Sequence, residues 1–318
     1  MKTRELGKSG LTLTRIGLGT WAIGGAGWQF GWGSQDDRDS IATVHEALDL
    51  GVSWIDTAAV YGLGHSEEIV GRAVAGRRDK LIIATKCGRM ADPGSTTIVS
   101  RLKAASVRRE LEASLRRLKT DYIDLYQIHW PDPDPDIEEG WEEIAKAVRE
   151  GKVRYAGVSN FNPEQMRRIQ RIHPIASLQP PYSMLRRDVE KEVLPFCAAN
   201  GIGVICYSPM QMGLLTGAFT RERAASLPAD DVRVRNPLFT EPALSRNLAL
   251  VDKLRPLAKK NGKSLAELAV AWVLRRPEVT AAIVGGRRPG QLAEIAAAAD
   301  WQLTPADTAE IDALLARQ

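Results

Sequence analysis

Short apolar runs rich in Val, Ile and Tyr alternate along the chain with longer stretches whose apolar residues recur every three or four positions. The first pattern reads as buried strands and the second as amphipathic helices; their alternation is the sequence form of βαβ units around a parallel sheet. Eight strands are predicted: Ile16 to Gly19, Val52 to Asp56, Leu81 to Thr85, Tyr122 to Ile128, Val153 to Val158, Ser177 to Gln179, Ile202 to Tyr207 and Ala281 to Val284. Ahead of them, Thr3 to Leu6 and Leu11 to Arg15 flank Lys8-Ser9-Gly10, the pattern of a small hairpin that could plug the bottom of a barrel. Helical faces are traced by Val107, Leu111, Leu115 and Leu118, and by Ile137, Trp141, Ile144 and Val148. Helix starts are marked by Asn162-Pro163, by Ser264 with Glu267, and by Thr304-Pro305 with Asp307. One stretch, roughly Gln211 to Pro242, has no clear period and reads as a long functional βα loop. Eight βα units in 318 residues favour one closed (β/α)8 TIM barrel, a single domain over residues 1–318, with an open doubly wound sheet as the alternative.

Composition narrows the class. Hydrophobic residues at 44% and charged residues at 26% exclude wholesale disorder. The formal charge of +4, from 43 basic and 39 acidic residues, is spread without a basic run, so no nucleic-acid partner is expected. The most apolar stretch, Leu265 to Leu274, falls short of a membrane span and contains Glu267, and the N-terminus lacks a signal-peptide pattern; a cytoplasmic protein off the membrane is expected. Three cysteines without CxxC spacing argue against a disulfide framework, and the four histidines have no metal-site spacing, so no metal is expected.

In a barrel of this kind, chemistry collects where strands end. The predicted strand ends carry Asp56, Lys86, His129, Ser159 with Asn160, Gln179, Tyr207 with Ser208, and the run from Gly285 to Arg288. Asp56, Tyr61, Lys86 and His129 make a coherent set. An ammonium at Lys86 would lower the phenol of Tyr61, Asp56 would hold Lys86 charged, and neutral His129 would donate to a carbonyl oxygen, giving a general acid with its tuning partners. Such a set protonates an oxygen but supplies no electrons, so a hydride-donating cofactor is required. Cys87, next to Lys86, is sent to the opposite side by strand alternation and reads as a buried thiol. Trp21, Trp28, Trp32 and Trp130 either wall an aromatic substrate pocket or pack over the barrel mouth.

The segments Asp56-Thr-Ala-Ala-Val-Tyr61-Gly-Leu-Gly-His-Ser66-Glu67, Ala84-Thr-Lys86, Leu125-Tyr-Gln-Ile-His129 and Gly157-Val-Ser159-Asn160 resemble the signature segments of the aldo-keto reductase superfamily. The likeness runs from Leu6-Gly7 to Gly285-Gly286-Arg287 and is nearest to bacterial members related to potassium-channel β subunits and to stress-induced reductases. It implies reduction of aldehydes or ketones with NADPH, NADH being possible, and a small carbonyl compound as partner. It implies Tyr61 as acid, Lys86 and Asp56 as its tuning pair, and His129 orienting the carbonyl. Ser159, Asn160 and Gln179 would bind the nicotinamide carboxamide, and Tyr207 would stack on the ring. Ser208, Met210, Gly213 and Leu214 would wrap the pyrophosphate; Gly286, Arg287, Arg288, Gln291 and Glu294 would hold the adenosine end, where the two arginines favour NADPH. Ile295 departs from the Asn that many relatives place at an adenine contact.

Competing motifs fail in context. Gly17-x-Gly19-x-x-Ala22 follows a strand, but Trp28-Gln-Phe-Gly-Trp-Gly33 stands near where a dinucleotide-binding helix should run. No Tyr-x-x-x-Lys occurs, and neither Gly-Lys-Ser has the upstream glycine of a P-loop. Two functional alternatives share the same residues: an NADPH-sensing subunit with little turnover, and a sugar or alcohol dehydrogenase working oxidatively. Oligomeric state is open.

Overall fold

The structure is a computed structural model and describes residues 1–317. Its strands are β1 (Thr3–Glu5), β2 (Thr12–Thr14), β3 (Ile16–Gly19), β4 (Trp54–Asp56), β5 (Ile82–Cys87), β6 (Arg89–Ala91), β7 (Ile98–Ser100), β8 (Ile123–Ile128), β9 (Val153–Ser159), β10 (Ser177–Gln179), β11 (Gly203–Cys206) and β12 (Val279–Gly285). Eight of these close into a parallel barrel in the order β3, β4, β5, β8, β9, β10, β11, β12, with β12 paired back onto β3. The closed barrel is the expected (β/α)8 architecture, and the open sheet is excluded.

The helices are α1 (Asp37–Asp49), α2 (His65–Ala73), α3 (Ala104–Leu118), α4 (Ile137–Arg149), α5 (Pro163–Gln170), α6 (Val193–Asn200), α7 (Arg221–Ala225), α8 (Ala243–Lys260), α9 (Leu265–Leu274), α10 (Ala293–Ala296) and α11 (Pro305–Leu315). The periodic residues Val107, Leu111, Leu115 and Leu118 of α3, and Ile137, Trp141 and Ile144 of α4, are all buried against the barrel. The helix starts read at Asn162, Ser264 and Thr304 are all present, and each of the three residues forms a capping box.

Inside the barrel, side chains from alternate strand positions form a second apolar cluster, comprising Trp54, Ala84, Leu125, Ile205, Ala281 and Ile283 together with Leu6, Leu11 and Leu13 of the hairpin. The hairpin of β1 and β2 therefore closes the bottom, as expected. Trp54 fills the lower interior and donates from Nε1 to the Thr14 carbonyl at 2.9 Å. A Cβ at Gly17 would lie 2.1 Å from its ring, so the glycine that mimics a dinucleotide fingerprint makes room for an indole. Two departures from expectation matter at the top. β6 and β7 form an additional hairpin after β5. The stretch after β11 is not irregular throughout: it carries α7 and packs its own cluster of Leu214, Phe219, Phe239 and Leu244. Among the described residues, no helix is long and apolar enough to cross a membrane.

Candidate active site

Loops after β3, β4, β5, β8, β9, β11 and β12 meet over the C-terminal ends of the strands and enclose a cleft of about 1070 Å³. Asp56 ends β4 and Lys86 stands one residue before the end of β5; both point into the barrel and are almost fully buried. The Lys86 ammonium donates to Asp56 Oδ2 at 2.7 Å, to the Thr57 carbonyl at 2.8 Å and to the Tyr61 hydroxyl at 3.3 Å. Asp56 Oδ1 accepts from Gln179 Nε2 at 2.7 Å, so both carboxylate oxygens are held by charged or polar donors. The rings of Tyr61 and His129 meet edge to face with centroids 5.8 Å apart. The four residues of the sequence reading are therefore one contiguous group.

Tyr61 is placed by a close crossing of two loops. Gly62 packs so tightly on Gly24 that a Cβ there would lie 2.2 Å from the Gly24 carbonyl, and the Gly62 φ of +59° suits glycine. Ser66 and Glu67 anchor the following helix. Ser66 donates to Thr20, and Glu67 accepts from Thr85 at 2.5 Å and from Arg117 at 2.7 Å. These two signature residues hold α2 to the strands rather than face the cleft.

The electrostatics correct one expectation. The sequence implies a phenol lowered by Lys86; in the structure, burial and then the Asp56 carboxylate push Tyr61 well above its ordinary value. Burial is the larger cause, and the Asp56 carboxylate, paired with the ammonium at 2.7 Å, adds to it by opposing a negative charge on the phenol. Tyr61 accordingly keeps its proton. Burial lowers Lys86, an effect that Asp56 opposes. His129 is held well below the usual imidazole range by burial, then by the charges of Lys86 and Arg89, so the ring is neutral. Its buried Nδ1 has no partner. With no acceptor there, the single ring proton belongs on Nε2, since an orphaned acceptor is tolerated better than an orphaned donor.

The remaining cleft residues are partly as expected. Ser159 donates to the Gln179 carbonyl at 2.7 Å, and Asn160, held at φ +64°, donates from Nδ2 to the His129 carbonyl and to Ser159 Oγ, both at 3.0 Å. Asn160 Oδ1 accepts from the Tyr207 hydroxyl at 2.9 Å, so Asn160 chiefly fixes its neighbours, with one lone pair on Oδ1 left over. Tyr207 extends the β10–β11 ladder and lines the cleft, its phenol pushed up to about 12 by burial. Ser208, Gln211 and Met212 are non-glycine residues in left-handed conformation, a clustering of backbone strain that marks functional loops. Met210 and Gly213 line the cleft beside Ser208. Leu214 does not: it is fully buried under Phe219 and Phe239, and its N–H bonds within the loop, so the expected ligand contact is corrected to a packing role.

Gly286, Arg288, Gln291 and Glu294 line the far part of the cleft, with Ile295 among them. Arg287 lines it too, but much of its guanidinium is already bonded. Its Nε donates to Gln35 Oε1 at 2.8 Å, and its terminal nitrogens donate to the carbonyls of Trp32 and Ser34. Every guanidinium nitrogen is thus committed to the loop after β3, whereas Arg288 is exposed. Gln291 likewise spends its side-chain oxygen on the backbone amides of Arg287 and Arg288. All four tryptophans line the cleft. Trp28 packs 6.2 Å from the Tyr61 ring, while Trp21 and Trp32 meet edge to face at 5.5 Å and Trp130 is exposed beside His129. Cys87 is buried among the helices, away from Lys86.

Sequence reasoning missed Arg89, Phe30, Val60 and Ile98, which also line the cleft. Arg89 and Ile98 lie on β6 and β7, and Asp92-Pro93-Gly94 between them was a legible turn signal.

The sequence model of the aldo/keto reductase family matches residues 15–316. The chain belongs to that family. It is 42% identical over 318 residues to the aldo-keto reductase YhdN of Bacillus subtilis, spanning 99% of this chain and 94% of the relative. It is 34% identical to the NADH-specific methylglyoxal reductase of Escherichia coli, over 96% of each. Among solved structures, the glycerol dehydrogenase AKR11B4 of Gluconobacter oxydans superposes with a TM-score of 0.89 at 42% identity, covering 99% of this chain and 95% of the other. The holo form of aldo-keto reductase AKR11C1 from Bacillus halodurans gives 0.81 at 28%, covering 99% and 96%. For an aldo/keto reductase, the cleft is roomy: its volume exceeds the roughly 300–1,000 Å³ of a pocket for one drug-sized ligand, as a dinucleotide with a substrate requires. The polar groups of Ser159, Gln179 and Tyr207 at one part and of Arg288 and Glu294 at another fit such a molecule.

Proposed function

We propose that this protein reduces an aldehyde or ketone to the alcohol with a nicotinamide cofactor, NADPH being preferred. The observation that carries the reading is the Lys86 ammonium bridging Asp56 Oδ2 and the Tyr61 hydroxyl, with His129 edge-on to the same phenol. A reduced nicotinamide, when bound, supplies the hydride. The chain's own residues handle the proton. Tyr61, kept protonated by burial, donates it to the carbonyl oxygen as negative charge develops there. Lys86, at 3.3 Å from the hydroxyl, stabilises the phenolate that remains, and Asp56 with the Thr57 carbonyl keeps the ammonium in place. His129, neutral, donates a second hydrogen bond to the same oxygen without competing as an acid.

Ser159, Gln179 and Tyr207 would hold the nicotinamide end. Gln179 offers its side-chain oxygen while its nitrogen serves Asp56, which links cofactor seat to acid. Arg288, exposed on the cleft, is the guanidinium free to meet a 2′-phosphate, since all three nitrogens of Arg287 already bond the loop after β3 and leave it only two N–H groups. The same residues run the reverse reaction, Tyr61 phenolate then taking the alcohol proton; the likeness to a glycerol dehydrogenase structure favours this as the second reading.

The test is a panel of aldehydes, ketones and alcohols with NADPH and NADH, followed by the change in reduced-nicotinamide absorbance. Substrate-dependent consumption of the reduced cofactor supports the reading. Tight cofactor binding with slow oxidation independent of any carbonyl or alcohol overturns it in favour of a sensing subunit.

A further inference from the structure

The part of the cleft around His129 contains a guanidinium that the reduction of a plain carbonyl compound does not use. The chain turns at Gly88, directly after β5, and Arg89 opens β6 at the cleft wall. The Gly88 N–H is held by the Glu110 carboxyl at 3.1 to 3.2 Å, and the Gly88 carbonyl accepts from the Arg101 N–H, so the start of this strand is fixed. The Arg89 guanidinium lies 5.5 Å from the centre of the Trp130 ring. Its charge also reaches His129.

What distinguishes Arg89 is its lack of a partner. It is half-buried, and its Nε is sealed from solvent with no hydrogen-bond acceptor among the described residues. Asp132 attracts it only at longer range, and Glu110, pushed up to about 8 by burial, is largely uncharged at neutral pH. Of the other arginines on this cleft, Arg233 pairs with Asp231 at 2.7 Å and Arg287 bonds the loop after β3, while Arg223 and Arg288 are exposed and keep their hydration. A partly desolvated cation without a counter-charge is costly, and guanidinium geometry suits a planar carboxylate held by two parallel hydrogen bonds. The other wall residues nearby, Trp28, Val60, Ile98 and Trp130, are largely apolar and carry no charge to meet an anion.

We propose that Arg89 receives a carboxylate carried by the carbonyl substrate, so that the site selects oxo acids and acid semialdehydes over neutral aldehydes and ketones. This assignment rests on the carbonyl reduction proposed above and names its substrate class. The reacting carbonyl meets Tyr61 and His129, the acid group meets Arg89, and the apolar wall takes the carbon chain between them.

The experiment compares 4-carboxybenzaldehyde with its methyl ester, which differ chiefly in charge, as substrates of the wild-type enzyme, Arg89→Met and Arg89→Lys. The wild type favours the acid. In Arg89→Met the ratio of kcat/KM for acid over ester falls roughly 30-fold, the worth of one lost charge-assisted pair, and Arg89→Lys, which keeps charge without the fork, falls between. An unchanged ratio in Arg89→Met overturns the assignment, as does an equal loss on both substrates. A parallel titration with benzoate, read by tryptophan emission from the cleft, needs no turnover. Saturable quenching in the wild type that is lost in Arg89→Met supports an acid site even if neither aldehyde is reduced, an outcome that would count against the reductase reading alone. Benzoate binding equally to both proteins, or to neither, overturns the site. Arg89→Gln replaces Arg89→Met if the latter does not fold.

Discussion

Replacing Asp56 by Asn tests the buried pair on which the chemistry depends. In the wild type the two carboxylate oxygens each serve one donor, Lys86 and Gln179, at 2.7 Å. The amide keeps the shape but loses the charge and leaves one carbonyl oxygen for both donors. The Lys86 side chain is fully buried, so its ammonium would remain with only the Thr57 carbonyl and the Tyr61 hydroxyl. Removing one partner of a buried pair costs about 3 to 5 kcal/mol, because an uncompensated charge stays behind. Lys86 can limit that cost by shedding its proton, which sets a ceiling. With an unfolded-state pKa of about 10.4 and about 1.4 kcal/mol per unit, the ceiling is about 4.6 kcal/mol at pH 7 and about 1.9 at pH 9. The sign follows from proton counting. Burial already lowers Lys86 in the folded wild type, and loss of Asp56 lowers it further. Between the lowered folded value and the unfolded value, the unfolded chain binds more protons, so the variant's stability rises with pH toward that of the wild type. Urea unfolding of both proteins from pH 6.5 to 9.5 measures the difference directly. A deficit of a few kcal/mol at pH 7 that shrinks steadily toward pH 9.5 is expected; a deficit independent of pH, or below about 1 kcal/mol at pH 7, would refute the buried-charge argument.

Three other outcomes follow from the same geometry. His129 is held well below the usual imidazole range, so it stays neutral as pH rises from 5.5 to 8, and kcat/KM should show no break attributable to it; a transition near 6.5 that disappears in His129→Gln would contradict this. Glu110 is raised to about 8, so the folded state binds its proton more tightly than the unfolded chain, and this contribution to stability is lost as pH rises from the normal carboxylate range through about 8. Glu110→Gln should therefore flatten the fall in stability between about pH 4.5 and 8, and an unchanged slope in that window would show that Glu110 is ionised in the fold. Arg288→Ala should weaken NADPH binding more than NADH binding, whereas Arg287→Ala, which frees the loop around Trp32 and Ser34, should weaken both alike; fluorescence titration with the two cofactors decides, and a selective loss of NADPH in Arg287→Ala would reverse the two roles.

The barrel was legible because its strands are buried on both faces and so appear as predominantly apolar runs, such as Ile123–Ile128, broken only by Asp124 and Gln127, and Val279–Gly285. Strand ends then placed Asp56, Lys86 and His129 on one rim without any coordinates. Tyr61 was harder, since it sits beyond its strand and depends on the contact between Gly24 and Gly62, which no local pattern shows. The direction of the phenol's shift is set first by its burial and then by the Asp56 carboxylate, neither of which a strand-end pattern reveals. Arg287 illustrates the same limit: its residue type suits a phosphate, but three of its five N–H donors are taken by a loop some 250 residues away, at |i−j| = 252 to Gln35. Leu214 was placed by loop position alone, and loop position does not say which way a side chain turns. Arg89 escaped because β6 and β7 have three residues each, too short for periodicity to register.

The central claim, that the Tyr61 hydroxyl delivers the proton, is tested most directly by Tyr61→Phe. The substitution removes one oxygen and leaves the ring against Trp28 and His129. Single-turnover reduction of a carbonyl substrate, measured beside cofactor affinity, should show binding retained and the rate lowered by about 10² to 10⁴. A rate within tenfold of the wild type, with cofactor binding intact, would mean that another group supplies the proton.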